Sequence, residues 1–210
     1  IEADSISLMN IFKDSTFLKE NGFTEDNVIS ICIPNTYEFY WNTKADKFCD
    51  KMIKEYRKFW NTERTSQAQK LGLTPVQVMT LASIVHKETV KKDERPRVAG
   101  VYLNRLRLGM LLQADPTVVF ARGRAGRVLN RDTKIESPYN TYLYSGLPIG
   151  ALCIPSLNAI DSCLFGAQYP YVYFCAKSDL TPQHDFAITL DEHNKNAQRF
   201  HRALNALKKK

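Results

Sequence analysis

The strongest constraint on the fold lies in one stretch, Leu73-Thr-Pro-Val-Gln-Val-Met-Thr-Leu-Ala-Ser-Ile-Val-His-Lys-Glu88-Thr89. It predicts a helix with a marked start. Thr74 is a favourable N-cap, Pro75 suits the first helical position, and Gln77 stands three residues on, as a capping box requires. An apolar run follows and ends in a single acid, Glu88. Counting back from Glu88 by three, four and seven reaches Val85, Ile84 and Leu81, which share its helix face. Lys87 instead stacks over Ser83 and Thr80. The acid is therefore expected on the buried face and the lysine on the wet one. A carboxylate so placed loses hydration and its pKa rises, as a general acid near neutral pH requires. The competing reading is a carboxylate at the rim of a core, paired with an arginine.

Composition bounds the partners. The chain has 210 residues, 44% hydrophobic and 24% charged, an ordinary globular balance with room for one large domain or two small ones. The net charge of +7 suits an anionic partner such as a nucleic acid, an anionic membrane surface or an acidic cell-wall polymer. Much of it sits in short clusters, Lys91-Lys92, Arg122/Arg124/Arg127 and the Lys208-Lys209-Lys210 tail. No nucleic-acid recognition motif accompanies the charge, so a nucleic-acid partner is not expected. The five cysteines form no CxxC pair, and cysteines and histidines are too dispersed for a structural zinc site. No P-loop, GxGxxG or HExxH appears, and no cofactor is expected. No apolar run approaches the roughly 18 residues of a membrane span. The chain begins at Ile1 and is expected to be a piece of a longer protein.

Periodicity and turn signals set out the elements. Residues 5–20 read as one short amphipathic helix stopped by Asn21-Gly22, and Val28–Ile33 as a brief strand. Tyr37, Phe39, Tyr40 and Trp41 form an aromatic cluster suited to core packing or to stacking on sugars. Residues 44–71 read as a long charged helix ending near Gly72. A further helix is expected to start at Asp93-Glu94-Arg95-Pro96 and close at Gly109, with Val98, Val101, Tyr102, Arg105 and Leu108 on it. Met110–Phe120 reads as a turn leading into a strand, and 121–136 as a mobile loop. A helix from Pro155-Ser156 to Phe165, a strand pair at Tyr171–Cys175 and Asp185–Ile188, and a last helix over 190–207 complete the chain. The expected class is α+β, with helices packed on short mixed or antiparallel strands and the acid on a central helix. The expected division is a mainly helical supporting segment at 1–72 and a catalytic domain at 73–210.

Polar residues in irregular segments are the candidates for chemistry. Gln113, Asp115, Asn140, Tyr142, His184, His193 and Asn194 lie in or beside such segments. Each alone is ordinary: Asp115 and Asn140 suit turns, and the histidines suit a loop and an early helical turn. Only their combination points to a site.

In combination the chain resembles the MltG/YceG-like endolytic murein transglycosylases. Ala82-Ser-Ile-Val-His-Lys-Glu88-Thr89 is similar to that family's ASIVEKET signature. Val98-Ala-Gly-Val-Tyr-Leu-Asn104-Arg-Leu106, Leu112-Gln113-Ala-Asp115-Pro116-Thr117-Val118 and Tyr139-Asn140-Thr141-Tyr142 with Gly146-Leu147-Pro148-Ile149-Gly150 resemble its next motifs. Tyr171-Val-Tyr-Phe174, His184-Asp-Phe186 and Glu192-His193-Asn194 resemble its last ones, in the same order. Ile33-Pro-Asn-Thr-Tyr37 resembles an upstream element. His86 stands where the family has an acid, Ala114 where it has threonine, and Ile149 where it has proline.

The resemblance implies cleavage of the β-1,4 bond between N-acetylmuramic acid and N-acetylglucosamine inside glycan strands, leaving 1,6-anhydro ends. It implies Glu88 as the catalytic residue and Gln113, Asp115, Thr117, Asn140, Tyr142, His184, His193 and Asn194 as substrate-binding residues. It also implies peptidoglycan as the partner, with proteins of cell-wall synthesis as candidate partners. The expected location is the outer face of the cytoplasmic membrane, held by an N-terminal anchor upstream of this chain. The alternatives are a muramidase-type hydrolase using Glu88 with Asp115 and a non-catalytic peptidoglycan-binding module.

Overall fold

The structure, a computed structural model, describes residues 1–207; the basic Lys208-Lys209-Lys210 tail lies outside the described residues. The opening helix forms as α5, Pro75–Glu88. Its capping box is complete: Gln77 N donates to Thr74 Oγ1 at 3.3 Å and Thr74 N donates to Gln77 Oε1 at 2.8 Å. Two orphan amides are thereby satisfied before the apolar run begins. From Val78 to Val85 every side chain of α5 is buried. The face carrying Thr80 and Ser83 is therefore not the wet one. Ser83 Oγ donates to Thr80 O and accepts from Leu152 N at 2.9 Å, so the 150–153 segment covers it. Only the end of the helix reopens, with Lys87 exposed and Glu88 partly buried.

Three helices enclose α5: α6 (Arg95–Arg107), α8 (Leu157–Phe165) and α7 (Asp115–Arg122). The main core joins Met79, Leu81 and Ile84 to Tyr102, Leu112, Ile160 and Leu164. The strand expected within 110–120 is α7 instead. Asp115 and Pro116 occupy its first turn, Thr117 Oγ1 donates back to Ala114 O at 2.7 Å, and Gly123 closes it at φ 69. These end signals outweigh the β-branched run.

The N-terminal part breaks where side chains cap. The single helix expected over 5–20 is two, α1 (Ser5–Lys13) and α2 (Ser15–Asn21). Asp14 turns extended and its Oδ1 accepts from Phe17 N at 2.7 Å. The helix expected over 44–71 is likewise α3 (Ala45–Phe59) and α4 (Thr62–Lys70), with Asn61 capping the second. Val28–Ile31 is a 3₁₀ turn, not a strand; it buries Ile31 in a second core with Leu18, Phe23, Met52 and Ile53. Of the aromatic cluster, Phe39 stacks on Phe48, while Tyr40 and Trp41 are 84% and 77% exposed.

The C-terminal elements follow the sequence. β1 (Tyr173–Ala176) pairs antiparallel with β2 (His184–Ala187), Phe174 opposite Phe186 and Ala176 opposite His184. The last helix, α9 (Leu190–Leu207), packs on this hairpin. Mixed helices and a small antiparallel sheet make the molecule α+β, with α5 at its centre. No helix among the described residues is long and apolar enough to cross a membrane.

Candidate active site

Glu88 ends α5, and Tyr102 rises beside it from α6. The Tyr102 hydroxyl donates to Glu88 Oε2 at 3.0 Å. Burial pushes the Glu88 carboxyl up to about 7, and nearby Asp115 pushes the same way. The Tyr102 hydrogen bond and the Arg105 charge pull against them without winning. Tyr102 is itself 1% exposed, and burial together with Glu88 raises its phenol well above the ordinary value. An acid that is half protonated near neutrality can give a proton and later take one back.

Arg105, about one turn beyond Tyr102 on α6, does not form the ion pair that the rim reading required. Its Nε donates to Val172 O at 2.7 Å and its Nη1 to Leu112 O at 2.8 Å. It thereby ties the 111–113 turn to the segment entering β1. Gln113 follows at φ 50, a left-handed conformation that costs a non-glycine residue energy. Its amide donates to Thr141 O at 3.0 Å, leaving the side chain exposed.

Asp115 lies at the start of α7, where its Oδ1 accepts from the Tyr142 hydroxyl at 2.6 Å. Burial, then Asp115, then Glu88 raise the Tyr142 phenol. Glu88, Tyr102, Arg105, Asp115 and Tyr142 therefore share one electrostatic neighbourhood.

Other predicted residues stand further back. Asn140 is fully buried: its Nδ2 donates to Thr133 O and Ile135 O, and its Oδ1 accepts from Tyr142 N at 3.0 Å. Thr117 is also fully buried, with its Oγ1 2.9 Å from Thr141 Oγ1. Both hold the turn that presents Tyr142 and offer no free group to a ligand. His184 opens β2, with its ring edge-on to Phe174 at 5.2 Å; Phe174 in turn meets Tyr102 at 5.8 Å. His193 stacks on Tyr173 at 5.3 Å, and burial, then Arg105, lowers its pKa. Asn194 is exposed on α9.

His86 points elsewhere. Its Nδ1 is 3.2 Å from Ser156 Oγ at the start of α8, beside Arg95. Burial, then Arg95, lowers its pKa. The residue that departs from the ASIVEKET signature therefore faces away from Glu88.

Tyr102, Arg105 and Glu94 are the site residues that sequence reasoning missed. A buried tyrosine needs a partner for its hydroxyl, and that was the available signal for Tyr102. Glu94 read only as part of a helix start. Among the described residues no group of three or more His, Cys, Asp or Glu is placed to hold a metal ion. A cleft of about 1120 Å³ lies at the other end of α5 around Thr74, Lys70 and Arg107 and excludes Glu88. Two of its side-chain amides are engaged internally, Gln77 through Oε1 in the capping box and Asn104 through Nδ2 on Tyr169 O and Tyr171 O.

Known proteins share this arrangement of elements. A family model described as the YceG-like family matches residues 4–199. A protein of Bacillus subtilis (strain 168) named endolytic murein transglycosylase is 35% identical over 169 residues, which cover 80% of this chain and 46% of that protein. One of the same name from Streptococcus pneumoniae is 32% identical over 174 residues, covering 78% of this chain and 30% of that protein. The chain thus spans about half or less of the length of these relatives. The crystal structure of a YceG-like protein from Listeria monocytogenes superposes with a TM-score of 0.76 at 27% identity, covering 91% of this chain and 67% of that one. The chain belongs to the YceG-like family.

Proposed function

We propose that this chain is the catalytic part of an endolytic murein transglycosylase that cuts β-1,4 bonds within peptidoglycan glycan strands in the cell envelope. The observation that carries this reading is the Glu88 carboxyl, raised to about 7 by burial beside a tyrosine donor. The relatives' shared name supports the substrate class.

Glu88 acts twice. It first gives its proton to the glycosidic oxygen, and the bond from that oxygen to the sugar C1 breaks. The C6 hydroxyl of the same sugar then closes on C1 as its proton passes to the Glu88 carboxylate. One bond to C1 is exchanged for another, no water is consumed, and Glu88 ends protonated. One carboxyl suffices because the nucleophile belongs to the substrate, whereas a hydrolase ordinarily needs two. Tyr102 holds Glu88 Oε2 and leaves Oε1 to carry the travelling proton. Gln113, Tyr142, His184 and His193 are the side chains left to meet the sugars, while Thr117 and Asn140 act behind them.

Asp115 favours a second reading, because it is near enough to raise the Glu88 carboxyl. In a two-carboxylate hydrolase it would serve as nucleophile or base. Its Oδ1 is already engaged by Tyr142. Glu88→Gln and Asp115→Asn separate the two on purified glycan strands. The lytic reading expects a rate loss of at least about 10³-fold in the first and no more than about tenfold in the second. Equal, near-complete losses would favour the hydrolase, and cleavage undiminished in Glu88→Gln would remove Glu88 from the reaction.

A further inference from the structure

Glu94 is a buried carboxylate that the mechanism above does not use. It is 1% exposed at the start of α6. Both oxygens turn to one residue: Oε1 accepts from His184 N at 2.9 Å, and Oε2 lies 3.0 Å from His184 Nδ1. Thr89 Oγ1, on the residue after Glu88, approaches the same Oε2 at 3.5 Å. The other ring nitrogen of His184, Nε2, has no hydrogen-bond partner among the described residues. It is not enclosed either: the side chain is 17% exposed, and the buried unpartnered polar atoms lie on Ser30, Trp60 and His193.

A carboxylate can only accept. A ring nitrogen 3.0 Å from it must therefore carry the proton, which leaves the lone pair of a neutral imidazole on Nε2. The ring stands on the wall that carries the acid, through Phe174 and Tyr102. We propose that Glu94 is a positioning residue that holds His184 as the Nδ1–H tautomer, so that Nε2 accepts the amide N–H of an acetamido sugar. A hydroxyl can donate or accept and tolerates either tautomer, whereas an amide N–H can only donate. The opposite tautomer would set an N–H against that amide N–H, so the fixed acceptor is what an N-acetyl group requires. This inference rests on the glycan-cleaving function proposed above.

Glu94→Gln tests it because the amide keeps the shape and reverses one bond. Gln Oε1 can still accept from His184 N, but its amide nitrogen donates to Nδ1 and drives the ring proton to Nε2. His184→Asn is the second variant; its amide can still donate to Glu94, but it has no Nε2. Imidazole ¹⁵N spectra are recorded at a pH where the ring is neutral, and kcat and KM are measured on N-acetylated glycan strands. The expected result is an unprotonated Nε2 in the wild type and a protonated one in Glu94→Gln. KM is expected to rise about tenfold in both variants, with kcat within about threefold of wild type. A purely structural tie between α6 and the hairpin would lower the melting temperature of Glu94→Gln and leave KM unchanged. A protonated Nε2 in the wild type, or an unchanged KM in His184→Asn, would overturn the proposal. A wild-type protein that cleaves no glycan overturns the proposed function instead, and the spectrum then upholds or overturns the tautomer assignment by itself.

Discussion

Glu88 owes its raised carboxyl to the point at which α5 leaves the core. The helix is buried from Val78 to Val85, and the acid stands three residues on, where the helix ends against Tyr102. Removing the tyrosine hydroxyl removes the one side-chain hydrogen bond among the described residues that favours the carboxylate. Hydrogen bonds to charged groups contribute about 1.5–3 kcal/mol, and 1.36 kcal/mol corresponds to one pKa unit. Tyr102→Phe is therefore predicted to move the alkaline limb of the kcat profile upward by about one to two pH units, as a pH–rate series would record. Stability carries the same signature with its own sign. Raised from 4.5 to about 7 in the fold, Glu88 binds more protons folded than unfolded between those values. Its contribution is present below about pH 4.5 and is lost as pH rises through 7. Glu88→Gln removes that cost, so it should stabilise the protein by about 3 kcal/mol at pH 8 and by far less at pH 4, measured by denaturant unfolding. The burial of the Glu88 carboxyl was legible in the sequence, because a capped helix start and an unbroken apolar run lead into it. Its partner was not legible. Helical spacing places Tyr102 on a face, but only the crossing of α5 and α6 decides where its hydroxyl reaches.

At the scale of elements, caps decide the boundaries. Helical periodicity runs through 5–20 and 44–71, and Asp14 and Asn61 divide both stretches by taking amides of the following turn. Those residues were visible in the sequence, but the apolar pattern on either side masked them. The strand expected before Phe120 failed for a related reason: the first-turn proline and Gly123 outweigh two valines. The hairpin of β1 and β2 was legible because each strand is a short β-rich run bounded by turn residues. Two of the predicted site residues, Thr117 and Asn140, are buried and hydrogen-bonded within the turn and helix start that flank Asp115 and Tyr142. Asn140 makes three hydrogen bonds inside the turn that presents Tyr142. Asn140→Ala should therefore destabilise the protein by about 2–3 kcal/mol. Calorimetry would record this as a fall of roughly 4–12 °C in Tm. A raised KM with an unchanged Tm would instead make Asn140 a direct substrate contact.

The whole molecule is joined across its two cores. Tyr56 packs against both, with its ring 5.3 Å from Phe23 on one side and 6.3 Å from Trp60 on the other. Gly150, in the turn run after Tyr142, meets the Asp26 carbonyl so closely that a Cβ would overlap it. Backbone on backbone cannot yield as a side chain can. Gly150→Ala should therefore cost about 1–3 kcal/mol, and thermal unfolding of the wild type should follow one transition rather than two. Two separate transitions would mean that residues up to 72 fold as an independent unit. Fold class and the central helix were readable from pattern and capping. The contact between Gly150 and Asp26 was not, since no local signal pairs residues so far apart. The account as a whole turns on where the nucleophile comes from. Glycan strands cleaved in ¹⁸O-labelled water and analysed by mass spectrometry test this directly. The account predicts anhydro ends, one water lighter than reducing ends and free of ¹⁸O, whereas ¹⁸O-labelled reducing ends would contradict it.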